Sequence, residues 1–114
     1  MQNNKEELNK SFEDKDLSSV RVLAFLEAKE GKRQDLVKIL IPIIEHSLKE
    51  EGNISYCVNY SNENSSEIMI DEVWSNKAAF DKHYQHPYSQ ENRKRIKDLL
   101  VRPMTIKIFK EISN

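Results

Sequence analysis

The order of two hydrophobic periodicities along the chain limits its possible folds more than any other feature. Apolar residues recur at every second position, as in half-buried strands, near residues 20–28, 53–60, 67–74 and 104–112. Apolar residues three and four positions apart, typical of helices, lie between the first two strands and between the last two. The order β-α-β-β-α-β predicts an α+β, ferredoxin-like fold, in which one antiparallel sheet carries helices on one face.

Proline and capping residues predict where the helices begin and end. The first helix is expected over residues 32–51, with a kink at Pro42 because proline has no N–H to donate. The apolar stripe continues beyond this proline, which favours one kinked helix over two short ones. Ser75 is expected to cap a second helix over residues 76–85, and a third helical stretch is expected over residues 89–101.

The first strand carries apolar side chains on both faces, with Leu23 and Phe25 opposite the even-numbered positions. The third strand does the same, because Met69 and Val73 point away from Ile68 and its even-numbered neighbours. Helices cover only one face of the predicted sheet, and a contiguous exposed apolar face is rare in a monomer. We therefore predict a homodimer in which two open sheet faces pack together.

The chain length and net charge indicate one ordinary globular domain. Its 114 residues suffice for a single core, and the polar residues 1–17 are expected to form a flexible extension outside a domain of residues 18–114. The net charge of −1 disfavours a general nucleic-acid or anionic-membrane partner.

Composition excludes several classes of site. No apolar run approaches the roughly 20 residues of a membrane span, and no apolar signal core opens the sequence, so a cytoplasmic location is predicted. Cys57 is the only cysteine, which leaves no cysteine-based zinc site and no internal disulfide. Gly31 and Gly52 are the only glycines, so no glycine-rich phosphate loop is expected.

The junction between the third strand and the second helix is the strongest candidate for a site. Trp74 ends the strand, and His83 lies on the helix that follows. An aromatic wall beside a titratable imidazole suits a small organic substrate. Glu72 shares a strand face with Trp74, because residues two apart point the same way.

Residues 20–112 resemble the antibiotic-biosynthesis monooxygenase family, and within it the small stand-alone group that includes quinol monooxygenases. The pieces that carry the resemblance are Pro42 inside the first helix, the turn at residues 46–53, Tyr56, Glu72-Val73-Trp74, His83 nine residues later, and Pro87.

The resemblance implies a dimeric α/β barrel that inserts oxygen into electron-rich phenols or quinols without metal, flavin or haem. A base removes a proton from the bound substrate, and the resulting anion reduces dioxygen directly. The partners implied are a small aromatic or quinol-like substrate and O2. Polyketide-tailoring members carry Asn, Tyr and His where this chain has Ile70, Phe80 and Asn59, so anthrone oxygenation by that residue set is not expected.

Two residues are candidates for catalysis. His83 is the candidate general base or proton shuttle, the alternative being a histidine satisfied at a helix–strand junction. Glu72 is expected to hold the imidazole in one tautomer or to act as a base itself, the alternative being a carboxylate at a solvent-facing edge. Six further residues are candidates for substrate binding, by stacking, hydrogen bonding or shaping the cavity: Trp74, Asn53, Tyr56, His46, Phe80 and Tyr88.

Structural roles are the alternatives for these substrate-binding candidates. Trp74 could belong to the core, and Tyr56 to the core or the dimer interface. His46 could be a partly exposed helix residue, and Asn53 could simply end a helix. Tyr88 stands where the stand-alone group usually has a histidine, so the resemblance suggests it as a phenolic donor.

Two other functions remain open at this point. A basic cluster, whose members would suit a phosphorylated substrate if they faced the cavity, comprises Arg93, Lys94, Arg95, Lys97 and Arg102. If these residues bind a phosphate, the function would be that of an isomerase or tautomerase acting on a small ketone. The alternative is that the basic residues only form a solvated helix face. A non-catalytic dimeric ligand-binding module is the third possibility.

Overall fold

The computed structural model of the protein describes residues 18–112. Its elements, in chain order, are β1 (Val20–Glu27), α1 (Arg33–Leu48), β2 (Asn53–Tyr60), β3 (Glu67–Trp74), α2 (Lys77–Gln85), α3 (Pro87–Lys97) and β4 (Thr105–Lys110). This order confirms the predicted β-α-β-β-α-β pattern, with the last helical region divided in two. The proposed extension at residues 1–17 lies outside the described residues.

The four strands form one antiparallel sheet in the order β2-β3-β1-β4. Strand β1 lies in the interior of the sheet, with Ala24 opposite Ile70 of β3 on one side and opposite Ile106 of β4 on the other. Non-consecutive strands therefore meet at the centre, which is the ferredoxin-like topology predicted from the sequence.

Helix α1 is continuous through Pro42, so the expectation of one helix rather than two is confirmed. It ends three residues earlier than predicted, and residues 49–52 form a turn before β2. None of the helices within residues 18–112 is long and apolar enough to cross a membrane.

The cap of α2 differs from the prediction. Asn76, not Ser75, is the N-cap, and its side-chain oxygen accepts a hydrogen bond from the Ala79 backbone N–H at 2.8 Å. A helix capped by Ser75 would begin at residue 76, whereas α2 begins at Lys77. The backbone N–H of Ser75 instead donates to the Gly52 carbonyl at 2.7 Å, which ties the β3–α2 junction to the turn after α1.

His86 separates α2 from α3 and serves both helices. It ends α2, and its ring Nδ1 accepts from the Tyr88 backbone N–H at 3.0 Å to cap α3. Pro87 occupies the first turn of α3, where its missing N–H costs no hydrogen bond. Helix α3 therefore starts two residues before the predicted stretch and ends at Lys97 rather than at residue 101.

The two faces of the sheet differ in burial. Even-numbered residues of β1 and β3 face the helices and are almost fully buried: Val20, Val22, Ala24, Leu26, Ile68, Ile70, Glu72 and Trp74. On the other face, which no helix of the described chain covers, Leu23, Phe25, Met69 and Val73 are half-buried, and Phe109 is 46% exposed. We call this second surface the bare face.

Candidate active site

A tight turn after α1 brings an acidic residue against α2. Gly52 has φ +85°, a conformation that favours glycine, and a Cβ built on it would lie 2.5 Å from the Cβ of Ala79. Only glycine allows the turn to approach α2 this closely. The side chain of Glu50, two residues earlier, consequently reaches His83 on α2.

His83 is held between two carboxylates. Its Nδ1 lies 2.7 Å from Glu50 Oε1, and its Nε2 lies 3.7 Å from Glu72 Oε1. The short contact to a carboxylate, which can only accept when ionised, assigns the proton of the neutral ring to Nδ1. The Nε2 lone pair is then free to accept a proton, which is the arrangement of an oriented general base.

Glu72 is a buried carboxyl with a single indole donor. Trp74 Nε1 donates to Glu72 Oε1 at 3.0 Å. Burial raises the pKa of Glu72 from 4.5 to about 7; the hydrogen bond from Trp74 opposes this shift, and the negative charge of Glu50 adds to it. Glu72 therefore exchanges its proton near neutral pH, close to the ring of His83.

Burial shifts the other titratable groups of the site as well. It lowers the pKa of the His83 imidazole, while the hydrogen bond and charge of Glu50 oppose the shift. Burial also raises the pKa of the Tyr56 phenol above its ordinary value, and the nearby charge of Glu72 adds to this effect. At neutral pH the site thus holds a neutral imidazole and a protonated phenol.

These groups line a cavity of about 60 Å³ between the sheet and the helices. Its apolar and aromatic lining comprises Ala24, Leu40, Ile43, Ile70, Phe80, Tyr84, Ile96, Met104 and Ile106. Its polar lining comprises Tyr56, Glu72, His83, Ser89, Asn92 and Arg93. An apolar wall with a few converging polar groups is the usual composition of a small-molecule site.

The cavity borders a larger open groove of about 400 Å³ beside β4. Tyr84, Arg93, Ile96, Met104 and Ile106 line both spaces. Drug-sized ligands occupy pockets of about 300–1,000 Å³, so an aromatic ring would use the cavity together with part of this groove.

The structure brings five of the eight predicted site residues together. His83, Glu72, Tyr56 and Phe80 line the cavity. Trp74 is fully buried behind them, with its ring centroid 4.6 Å from that of His83. Trp74 therefore supports His83 and Glu72 from behind.

The other three predicted residues lie elsewhere. His46 and Tyr88 stack on each other at 3.9 Å between ring centroids, on the outer side of Glu50. The side-chain amide of Asn53 donates to the Ser55 carbonyl at 3.1 Å, which is a local backbone contact. None of the three lines the cavity.

Sequence reasoning missed Glu50, Ser89 and Asn92, and it did not resolve which basic residue faces the cavity. Ser89 and Asn92 are buried at helical spacing with Ile96, a signal that a search for polar residues on an apolar helix face would have found. Of the basic cluster, Arg93 lines the cavity, with its guanidinium 3.7 Å from the Tyr84 ring centroid. Within residues 18–112, no three His, Cys, Asp or Glu side chains form a group that could hold a metal ion.

Comparison with known proteins relates the chain to a family. Residues 19–95 match the antibiotic biosynthesis monooxygenase family. The protein sll1783 of Synechocystis sp. is 35% identical over 85 residues, a match that covers 75% of this chain and 58% of that relative. The chain therefore spans little more than half the length of the curated relative that it matches.

Solved structures show the same fold. A conserved protein from Methanosarcina mazei Go1 superposes with a TM-score of 0.81 at 26% identity, covering 88% of this chain and 99% of that one. Rv0793 from Mycobacterium tuberculosis gives a TM-score of 0.80 at 25% identity, covering 85% and 98%. With the family match over residues 19–95, these likenesses establish that the chain belongs to the antibiotic biosynthesis monooxygenase family.

Proposed function

We propose that the protein is a cofactor-independent monooxygenase that oxidises a small quinol-like or polyphenolic substrate with O2 at the His83 cavity. One observation carries the proposal: Glu50 binds Nδ1 of a buried imidazole, whose Nε2 is left free to accept a proton beside the cavity. Membership in the monooxygenase family supports this chemistry.

The reaction starts with proton removal. His83 Nε2 takes the proton of a substrate hydroxyl, and the electron-rich anion then gives electrons to O2. One oxygen atom enters the ring and the other leaves as water, so that a quinol and O2 give a hydroxyquinone and water. The substrate supplies all the electrons.

The cavity lining favours the anion over other protonation states. Tyr56 remains a phenol because burial raises its pKa, so it can donate a hydrogen bond to a substrate oxygen. Arg93 adds a permanent positive charge at the opening toward the groove. The apolar walls exclude bulk water, which strengthens both interactions.

We further propose that two subunits associate through the bare face. Leu23, Phe25, Met69 and Val73 form a half-buried apolar surface on that side, and Phe109 extends it. Burial of apolar surface against an identical copy is the common solution for such a face. The cavity lies on the opposite side of the sheet, so association leaves it available.

Oxygen uptake tests the function directly. Purified protein is incubated with a panel of hydroquinones and polyphenols, and O2 consumption is compared with autoxidation of each compound. We expect at least one compound to show enzymatic uptake that His83→Gln abolishes. The matched control is Cys57→Ser, an exposed position on the bare face. Uptake equal to autoxidation across the panel would overturn the proposal.

The position of Arg93 favours a second candidate, an isomerase or tautomerase acting on a small anionic ketone. A guanidinium at the mouth of the cavity would bind a phosphate or carboxylate. This function predicts exchange of a proton α to the carbonyl for deuterium, without O2 uptake, and loss of that exchange in His83→Gln. A ligand that binds while neither His83→Gln nor Glu72→Gln alters any assay would instead indicate a non-catalytic binding module.

A further inference from the structure

The carboxylate that holds His83 also contacts a second histidine. Glu50 Oε1 lies 2.7 Å from His83 Nδ1 and 3.3 Å from His46 Nδ1. The side chains become more exposed along this series: His83 is 9% exposed, Glu50 16% and His46 34%. A continuous chain of three proton-carrying groups therefore leads from the cavity to the surface.

The outer end of this chain opens to solvent. His46 lies in an open groove of about 420 Å³ that is also lined by Pro42, Glu45, Lys49, Glu50 and His86. Tyr88 stacks on the His46 ring at 3.9 Å, and His86 meets the ring edge-on at 5.4 Å. These contacts fix the ring plane so that Nδ1 faces Glu50.

We propose that Glu50 and His46 form a proton relay that connects the buried His83 to bulk water. The relay rests on the proposed role of His83 as the base. His46 does not touch the substrate, and it acts through Glu50.

Each proton transfer in the relay balances. His83 accepts the substrate proton at Nε2 and releases its Nδ1 proton to Glu50 Oε1. Glu50 then passes a proton to Nδ1 of His46, which accepts it in the tautomer that carries the ring's own proton on Nε2. His83 and Glu50 regain their starting charges, and one positive charge rests on His46. When His83 Nε2 later gives its proton to reduced oxygen, the same path runs in reverse, so no net proton is consumed.

The relay moves a charge out of a region where it is costly. An imidazolium at His83 would be buried beside apolar walls, whereas an imidazolium at His46 would be partly exposed to solvent. The negative charge of Glu50 stays between the two rings and stabilises the proton on either side.

The surrounding charges limit the relay to one excess proton. Glu72 on β3, Tyr56 on β2 and Arg93 on α3 face His83, and the charges of His46 and Arg93 both disfavour protonation of His83. Around His46, the titratable groups are Glu45 on its own helix, Lys49 in the turn that follows, and His86 and Tyr88. A proton on His46 therefore opposes a second proton on His83.

Ring N–H exchange tests the relay without any substrate. In ¹⁵N-labelled protein, the His83 Nδ1 proton is observed by NMR, and its exchange with water is measured in wild type and in His46→Gln. We expect exchange to slow several-fold in His46→Gln and to recover on addition of free imidazole, which can replace the lost acceptor. The matched control is Glu45→Gln, an exposed change in the same groove, which is expected to leave the exchange rate unchanged.

The second measurement is kinetic. His46→Gln is expected to lower kcat about 10-fold or more with little change in KM, and imidazole is expected to restore kcat. A purely structural role of His46 would not be rescued by a diffusible base. Unchanged N–H exchange in a folded His46→Gln protein overturns the relay even if monooxygenase activity is found. Slowed exchange with imidazole rescue supports the relay even if the substrate panel shows no O2 uptake.

Discussion

The two faces of the sheet are made by alternate residues of the same strands, yet they differ in burial and in the polar groups that they hold. Ile68 is fully buried beneath the helices, whereas its neighbour Met69 is half-buried on the bare face. The covered face holds the buried carboxyl of Glu72, and the bare face holds an ion pair of Arg21 and Asp71 at 2.8 Å, with side chains that are 55% and 27% exposed. Helical cover therefore decides whether a carboxyl on these strands is almost fully buried or joins a partly exposed ion pair.

The difference follows from the dielectric environment. A carboxyl beneath the helices loses its water, so its pKa moves toward neutrality and it becomes useful for proton transfer. A surface ion pair stays hydrated and contributes about 0–1 kcal/mol.

The largest effect is expected at the chemical centre of the covered face. His83→Gln removes the free Nε2 base while nearly preserving side-chain volume, so kcat is expected to fall about 10²–10⁴-fold. The measurement is O2 uptake at saturating substrate. Cys57→Ser, its bare-face counterpart, is expected to retain wild-type kcat, and equal losses in the two variants would contradict the contrast between the faces.

Core truncation should separate the faces in stability. Ile68→Ala removes a fully buried side chain and is expected to lower the free energy of unfolding by about 2–5 kcal/mol. Met69→Ala, one residue later on the bare face, is expected to cost about 1 kcal/mol or less within the subunit. Urea denaturation at several protein concentrations measures both. If the bare face is a dimer interface, the stability lost in Met69→Ala should vary with protein concentration. The stability lost in Ile68→Ala, relative to wild type, should be the same at every protein concentration.

The buried carboxyl should leave a signature in the pH dependence of stability. The pKa of Glu72 is about 7 in the folded chain and 4.5 as its ordinary value, so between these pH values the folded state binds more protons than the unfolded state. The contribution of protonated Glu72 to the free energy of unfolding is fully present below pH 4.5, and it is lost as the pH rises through 7.

Glu72→Gln has no carboxyl to titrate at this position, so the variant should not lose this stability as the pH rises. Relative to wild type, the variant is expected to gain a few kcal/mol in the free energy of unfolding as pH rises across this window, measured by urea denaturation at each pH. A constant difference between the two proteins at all pH values would show that Glu72 titrates normally.

The smallest of the four effects concerns association. Phe25→Asp places a charge in the middle of the bare face and is expected to raise the dimer dissociation constant about 10-fold or more. Sedimentation velocity across a dilution series measures it. Ile112→Asp is the control, because Ile112 is 91% exposed beyond the end of β4. A wild-type protein that sediments as a single subunit at every concentration would remove the dimer from the proposal.

Much of this architecture could be predicted from the sequence, because strand and helix periodicities are local. The element order, the helix-covered face and the pairing of Trp74 with Glu72 on one strand face follow from spacing alone. Helix ends were less predictable. Ser75 and Asn76 are both good caps, and the contact of the serine backbone with Gly52 decided between them.

The exposure of residues in β2, the strand at one edge of the sheet, could not be predicted from alternation alone. Alternation in residues 53–60 predicts that Ile54 shares a buried face with Tyr56, but Ile54 is 59% exposed. The register with β3 shifts between Asn53 and Ser55, so an extra residue is accommodated there. Such a bulge depends on the partner strand and has no signal in β2 itself.

The sequence by itself determined the fold, the family resemblance and the choice of His83 and Glu72 as candidate site residues, because each depends on periodicity or on residue type. Only the tertiary structure decided what those groups do together. Glu50 lies 33 residues before His83, and a 2.7 Å contact between them exists only because Gly52 lets the turn approach α2. Distances between residues far apart in the chain are set by packing, and packing also sets the burial that shifts their pKa values.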